Sequence, residues 1–240
     1  MNMSPTLIVK ATVLASVLVL TACAAPREQE MFPSPYRAAG NEPFWHVTVT
    51  GKTALVERPD NAPVELSISE ITNVRTGWLL RGQGLKLNIT TMRCENDMSG
   101  ALFTNAVVME LDGRKYSGCG GTELPPEKIE MTQWSVSTIR SQALTTEKRP
   151  FLAIDAEGKV SGSDGCNRMS GGFTLVSDGT VRHTAPGWIA TRMACPNPQM
   201  TLATDYGNAL RASTQWRFEA SDLVLLDTAG VPMIRYKRMY

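Results

Sequence analysis

Phe44-Trp45-His46-Val47-Thr48-Val49-Thr50 alternates two kinds of residue without a break, Trp45, Val47 and Val49 on one side and His46, Thr48 and Thr50 on the other. Strict alternation marks a strand with one buried face and one wet face, because successive side chains of an extended backbone point in opposite directions. Leu85, Leu87 and Ile89 repeat the pattern against Lys86, Asn88 and Thr90, and shorter strand candidates lie at 53–58, 64–69, 77–81, 106–111 and 115–118. Asp112-Gly113 separates the last two, and a two-residue turn of that type joins antiparallel neighbours.

A second series opens at Trp134, with candidates at 134–140, 151–155, 159–161, 171–176, 180–184, 215–220, 223–227 and 233–238. Glu157-Gly158, Asp164-Gly165, Asp178-Gly179 and Ala229-Gly230 supply the turns between them. One segment breaks the β pattern. From about Pro198 to Ala212, Leu202, Ala203, Tyr206, Ala209 and Leu210 recur at helical spacing, with Asn197 as the expected N-cap and Pro198 in the first turn. The expected fold is therefore mainly β, α+β at most: two small antiparallel β domains, the second carrying one helix. Pro125-Pro126 places the boundary between them, giving domains at residues 41–124 and 128–240.

The chain has 240 residues, 42% hydrophobic and 20% charged, which describes a foldable globular protein. Upstream of the strands, residues 24–40 contain three prolines and little apolar periodicity, so a tether is expected there, reaching at most about 55 Å when extended. Residues 11–22 are apolar over a span well short of the roughly 20 residues a membrane helix needs. Lys10 precedes this run and Leu20-Thr21-Ala22-Cys23 ends it, which resembles the cleavage and acylation site of a bacterial lipoprotein. That resemblance implies a signal peptide at residues 1–22, lipid attachment (diacylglycerol and palmitate) at Cys23, a lipidated tether over residues 23–40, and a membrane partner reached through the lipid. Ala24, in place of an aspartate retention signal, points to the periplasmic face of the outer membrane, or to the cell membrane surface in a Gram-positive cell.

Loss of Lys10 with the leader lowers 24 basic residues to 23, against 23 acidic ones. A neutral chain without a basic block has little phosphate-neutralising surface, so no nucleic-acid partner is expected. Lipidation of Cys23 would leave Cys94, Cys119, Cys166 and Cys195 for disulfides outside the cytoplasm. Three connectivities are open to four cysteines. Pairing Cys94 with Cys119 and Cys166 with Cys195 is the expected one, each closing a loop of about 25 to 30 residues for roughly 3 to 4 kcal/mol. With no C-x-x-C and only His46 and His183, neither a metal nor any other cofactor is expected.

Trp134 in W-x-V, Gly162 to Arg168 in GSDGCNR, Gly171-Gly172-Phe173, Thr191 to Cys195 in TRMAC, and Leu210 before Trp216 resemble the META domain, the family of the bacterial HslJ-like lipoproteins. The resemblance implies a curved or barrel-like antiparallel sheet with one helix, a link to envelope stress response and drug tolerance, and no recognised catalytic residues. Gly40-Asn41-Glu42-Pro43-Phe44-Trp45, with the blocks from Cys94 to Gly100 and from Tyr116 to Cys119, resembles an envelope domain often found beside it.

No G-x-S-x-G, phosphate loop or H-E-x-x-H occurs, and no catalytic residue is assigned. Both histidines are read as structural, and Ser163-Asp164-Gly165 as turn chemistry rather than a calcium loop. Asn167, Arg168 and Arg192 flank the cysteines expected to be bridged, so they form a candidate binding patch together with Trp188, which lies in a less regular stretch and is the tryptophan to test for surface exposure. The structural alternative, which is favoured over ligand recognition, is that Asn167 bonds backbone groups of a turn and the arginines pair with acidic neighbours. The leading functional reading is a non-catalytic envelope lipoprotein, a binding or stress-protection scaffold for an envelope protein or a small apolar ligand. An inhibitor of a periplasmic hydrolase such as lysozyme is the alternative, and an unrecognised hydrolase the third.

Overall fold

A computed structural model describes residues 31–240; the leader, Cys23 and the first part of the tether lie outside the described residues. Eight antiparallel strands run in chain order: β1 (Tyr36–Asn41), β2 (Phe44–Thr50), β3 (Thr53–Arg58), β4 (Asn61–Val74), β5 (Gly77–Gly82), β6 (Leu85–Glu95), β7 (Leu102–Leu111) and β8 (Arg114–Leu124). They close into a barrel when β8 returns to β1 through Ala38–Gly120 and Ala39–Cys119. Trp45, Val47, Val49, Leu87, Ile89 and Met109 fill the interior, so the barrel is a packed core and not a lumen. The outward positions of the same strands carry His46, Lys86 and Asn88, as the alternation predicts. Asp112 and Gly113 both take positive φ, 49° and 79°, the geometry in which a two-residue turn matches strand twist.

The expectation of a tether as far as Gly40 is corrected by β1. Tyr36 and Ala38 alternate inward and are buried, and the strand pairs with β2 from Tyr36–Val49 to Asn41–Phe44. Pro33 and Pro35 stand before the strand rather than inside it, so they do not interrupt its hydrogen bonding. The first β unit therefore starts ahead of residue 41.

The second unit is a nine-stranded antiparallel sheet. Its elements are β9 (Thr132–Ile139), β10 (Gln142–Ala143), β11 (Phe151–Ile154), β12 (Val160–Ser163), β13 (Arg168–Leu175), β14 (Val181–Ala190), α1 (Gln199–Ala212), β15 (Gln215–Glu219), β16 (Asp222–Leu226) and β17 (Pro232–Met239). The order is β14-β13-β12-β11-β9-β17-β16-β15, with β10 added to β9. At the ends of that order a bridge joins Thr180 to Gln215, and Val181 N–H donates to the Thr214 carbonyl at 2.9 Å. The sheet thus curls until its two edges touch.

Helix α1 packs Tyr206, Ala209 and Leu210 into a core with Trp134, Val136, Leu152, Phe173, Leu223 and Tyr236. Its N-cap is Pro198, without a side-chain cap, and not Asn197. The Pro198 carbonyl already accepts from Leu202 N–H at 3.0 Å, so the helix begins one residue later than the capping preference of asparagine suggests.

Candidate functional site

Two turns and a disulfide build the site. Asp164 Oδ1 accepts from the backbone N–H groups of Cys166, at 2.8 Å, and Asn167, while Asn167 Nδ2 donates to Asp164 Oδ2 at 3.1 Å. This is a self-contained aspartate turn at Gly162 to Arg168, and it uses the carboxylate internally. Asn167 Oδ1 then reaches across to accept from Met193 N–H at 2.8 Å, and Thr191 N–H donates to the Arg168 carbonyl at 3.0 Å. Cys166 and Cys195 form a disulfide, with Cα atoms 6.0 Å apart, and Cys94 and Cys119 form the other, at 5.5 Å. The first of these pins the irregular lead-in of α1 to the aspartate turn.

Asn167 is therefore the side chain that stitches the two motifs. Asn167→Ala is expected to cost about 0.5–1.5 kcal/mol, because it removes the acceptor for the exposed Met193 N–H and a donor to Asp164. Urea unfolding checks the value, and limited proteolysis should show faster cleavage between residues 191 and 198. A change below about 0.5 kcal/mol would rule this stitching role out.

The pinned helix carries two stripes. One is the buried stripe through Tyr206, Ala209 and Leu210; the other, Met200, Ala203, Thr204, Gly207 and Arg211, recurs every three or four residues and faces a cavity. That cavity of about 250 Å³ is bounded by this stripe, by Asp164, Asn167 and Met169, and by Trp188 of β14. A groove of about 450 Å³ lies on the other side of Trp188 and Arg211, lined by Gly172, His183, Thr184, Pro186 and Gly187. Trp188 and Arg211 are the wall common to both.

The groove has a local cause. On β13 and β14 the register runs Gly171–Trp188 and then Phe173–His183, so the four residues Thr184 to Gly187 stand opposite Gly172 alone. The excess chain bows away and leaves space. Gly172 has φ +83°, and a Cβ there would lie 2.4 Å from Trp188 N, so only glycine lets the strands approach at this point.

Trp188 is half-buried and packs against the core. The Arg211 guanidinium sits 5.2 Å from its ring centroid, a cation–π distance, and Arg211 Nη2 donates to Asn208 Oδ1 at 2.6 Å. Of the expected patch, Asn167 and Trp188 meet at one cavity; Arg168 and Arg192 are exposed and line neither space. Among the described residues neither arginine forms an ion pair. His183 bonds the Ser213 carbonyl through Nε2 at 2.7 Å, a structural tie between β14 and the residue after α1. His46 is on the outer face of the barrel, opposite Glu57 and Ala39.

The motif blocks of the first unit also converge. Asn41 Nδ2 donates to Asn96 Oδ1 at 3.0 Å and to Asp97 Oδ1 at 2.6 Å, and Trp45 Nε1 donates to the Ser117 carbonyl at 3.1 Å. Asn96 Oδ1 also accepts from Met98 N–H and Ser99 N–H, so these residues organise a loop.

The META domain family matches residues 127–240. The heat shock protein HslJ of Escherichia coli (strain K12) is 30% identical over 114 residues, 45% of this chain and 79% of that protein. No solved structure matches.

Proposed function

We propose, because this chain belongs to the META domain family, that it is a heat-stress protein of the cell envelope, anchored through lipid on Cys23, that works by binding a ligand or partner in its second unit. The observation that carries this reading is the pair of spaces sharing the Trp188–Arg211 wall. Several neighbouring polar groups hold the structure: Asp164 and Asn167 in the turn, His183 on Ser213, and Thr204, which donates to the Met200 carbonyl at 2.9 Å. An indole face and a guanidinium remain as the recognition groups, which suits a binding site.

Gly207→Leu tests the site without dismantling it. A Cβ at Gly207 meets Arg211 Nη1 at 3.6 Å and Trp188 Cζ2 at 3.7 Å, ordinary contacts, so a longer side chain fills the cavity while leucine favours the helix by about 1 kcal/mol over glycine. In a strain lacking the gene, the wild-type chain should restore survival of a heat shift. Gly207→Leu should accumulate in the membrane fraction and fail to protect, and Cys23→Ala should leave that fraction. Full protection by both Gly207→Leu, in the smaller cavity, and Thr184→Trp, in the larger groove, sinks the cleft as the working surface, and an unacylated Cys23 in membrane-bound protein sinks the anchor. Inhibition of lysozyme by the purified chain, retained by Gly207→Leu, would select the inhibitor reading instead.

A further inference from the structure

We infer that the Trp188–Arg211 cleft takes an organic anion with a flat apolar body, its acid group on the Arg211 guanidinium and its body along Trp188. This rests on the binding reading above and names the ligand class for it.

Charge is the first reason. The residues lining the larger groove include Arg211 and no carboxylate. The one acid lining the smaller cavity is Asp164, which already accepts from two backbone N–H groups and from Asn167 Nδ2. Such a site opposes an anion weakly and a second cation strongly.

Unused hydrogen-bonding capacity is the second. A guanidinium has five N–H donors in a rigid fork. Among the described residues Arg211 has no ion pair, and its side-chain partner is the Asn208 amide. Carboxylate and sulfonate groups fit that fork with two parallel bonds.

Shape is the third. The indole of Trp188 supplies a flat apolar wall, and Gly172, Gly187 and Gly207 keep the space beside it clear of side chains. At about 450 Å³ the groove falls within the range of small-molecule sites and accepts a body of one or two fused rings. A purely apolar ligand would displace water from the exposed Arg211 guanidinium and leave the N–H donors not used on Asn208 unpaired, which costs binding energy.

The test compares 1-naphthaleneacetate with 1-naphthaleneacetamide, which share ring and linker and differ in charge. Calorimetric titration of the full lipidated chain, with an empty-micelle blank, should give the acid at least a tenfold affinity advantage over the amide. Arg211→Gln should shrink that ratio to within twofold by weakening the acid alone, and Arg211→Lys should keep most of it. Thr184→Trp, which puts bulk into the groove itself, should lose both ligands.

An acid bound no more tightly than the amide, or a tenfold preference that survives Arg211→Gln, overturns the inference. Equal binding of both probes, abolished by Thr184→Trp, overturns the anion assignment and leaves the binding cleft standing. Binding of neither probe overturns the ligand class, and the heat-survival results for Gly207→Leu and Thr184→Trp then decide the cleft separately.

Discussion

Above pH 10 the META sheet should lose stability steeply, and two fully buried phenols should be the largest source of the loss, ahead of the partly exposed Tyr240, whose ionisation burial and Glu123 also raise. Tyr206 of α1 and Tyr236 of β17 are both fully buried, with their hydroxyls 3.1 Å apart and their rings edge to face. Burial pushes both ionisations well above the ordinary tyrosine value. A folded-state value above the unfolded one means full stability below about pH 10 and a loss as pH rises past it, because only the unfolded chain releases those protons. Two such protons correspond to about 3 kcal/mol per pH unit until the folded-state ionisations are reached. Chemical denaturation at pH 8, 10, 11 and 11.5 reads the slope. The double variant Tyr206→Phe/Tyr236→Phe should change neutral-pH stability by less than about 1 kcal/mol, since it removes both halves of the bond, and should flatten the alkaline limb by about two protons. Either single variant should cost about 1–2 kcal/mol at neutral pH by orphaning the remaining hydroxyl. An alkaline slope in the double variant equal to that of the wild type would show that these phenols do not govern it.

The strand pattern could be read from side-chain order because the same alternation that makes Phe44 to Thr50 half-apolar also places Trp45, Val47 and Val49 inside a barrel. Turn chemistry was equally plain at Asp112-Gly113, where both residues must adopt positive φ. Closure could not be read. It depends on β1, Tyr-Arg-Ala-Ala-Gly-Asn, half of whose residues are alanine or glycine and whose local pattern is too weak to outweigh the prolines before it. The β4 strand shows the same limit: 64–69 alternates visibly, yet the strand runs from Asn61 to Val74 because it pairs with β3 on one half and β5 on the other. Pairing partners extended it, not its own propensity.

For the site, Asn167 was visible because asparagine two residues after Gly165 and beside a cysteine has a definite turn chemistry. Arg211 and Gly207 were missed. Their signal was present as a second helical stripe, Met200, Ala203, Thr204, Gly207 and Arg211, but four of those residues are polar or small and do not register as a face until Trp188 stands opposite. Trp188 comes from a strand on the far side of a four-residue bow, a tertiary contact that no local spacing encodes. Arg168 and Arg192 were drawn into the patch by their nearness to the disulfide in sequence; their long side chains remain on the surface, where solvation of a guanidinium outweighs any contact the turn offers.

Trp45→Ala should cost about 3–5 kcal/mol and open the barrel, the largest effect expected of any single truncation in the first unit. The side chain is completely buried, and its indole N–H satisfies the Ser117 carbonyl at 3.1 Å, so alanine leaves both a cavity and an unpaired acceptor. Trp45→Phe separates the two losses: it keeps most of the volume, loses the donor, and should cost about 1–2 kcal/mol. The same point is sensitive to added bulk. A Cβ on Gly40 would lie 2.1 Å from the Ser117 carbonyl oxygen and 2.3 Å from Trp45 Nε1, so Gly40→Ala must push the β1 backbone or the indole aside, at about 1–3 kcal/mol or more. Guanidinium unfolding with both disulfides intact measures the free energies, and amide exchange in β1, β2 and β8 locates them. Trp45→Ala with a cost below about 2 kcal/mol, or with exchange unchanged in those three strands, would mean that this indole does not hold the closing strands of the barrel together.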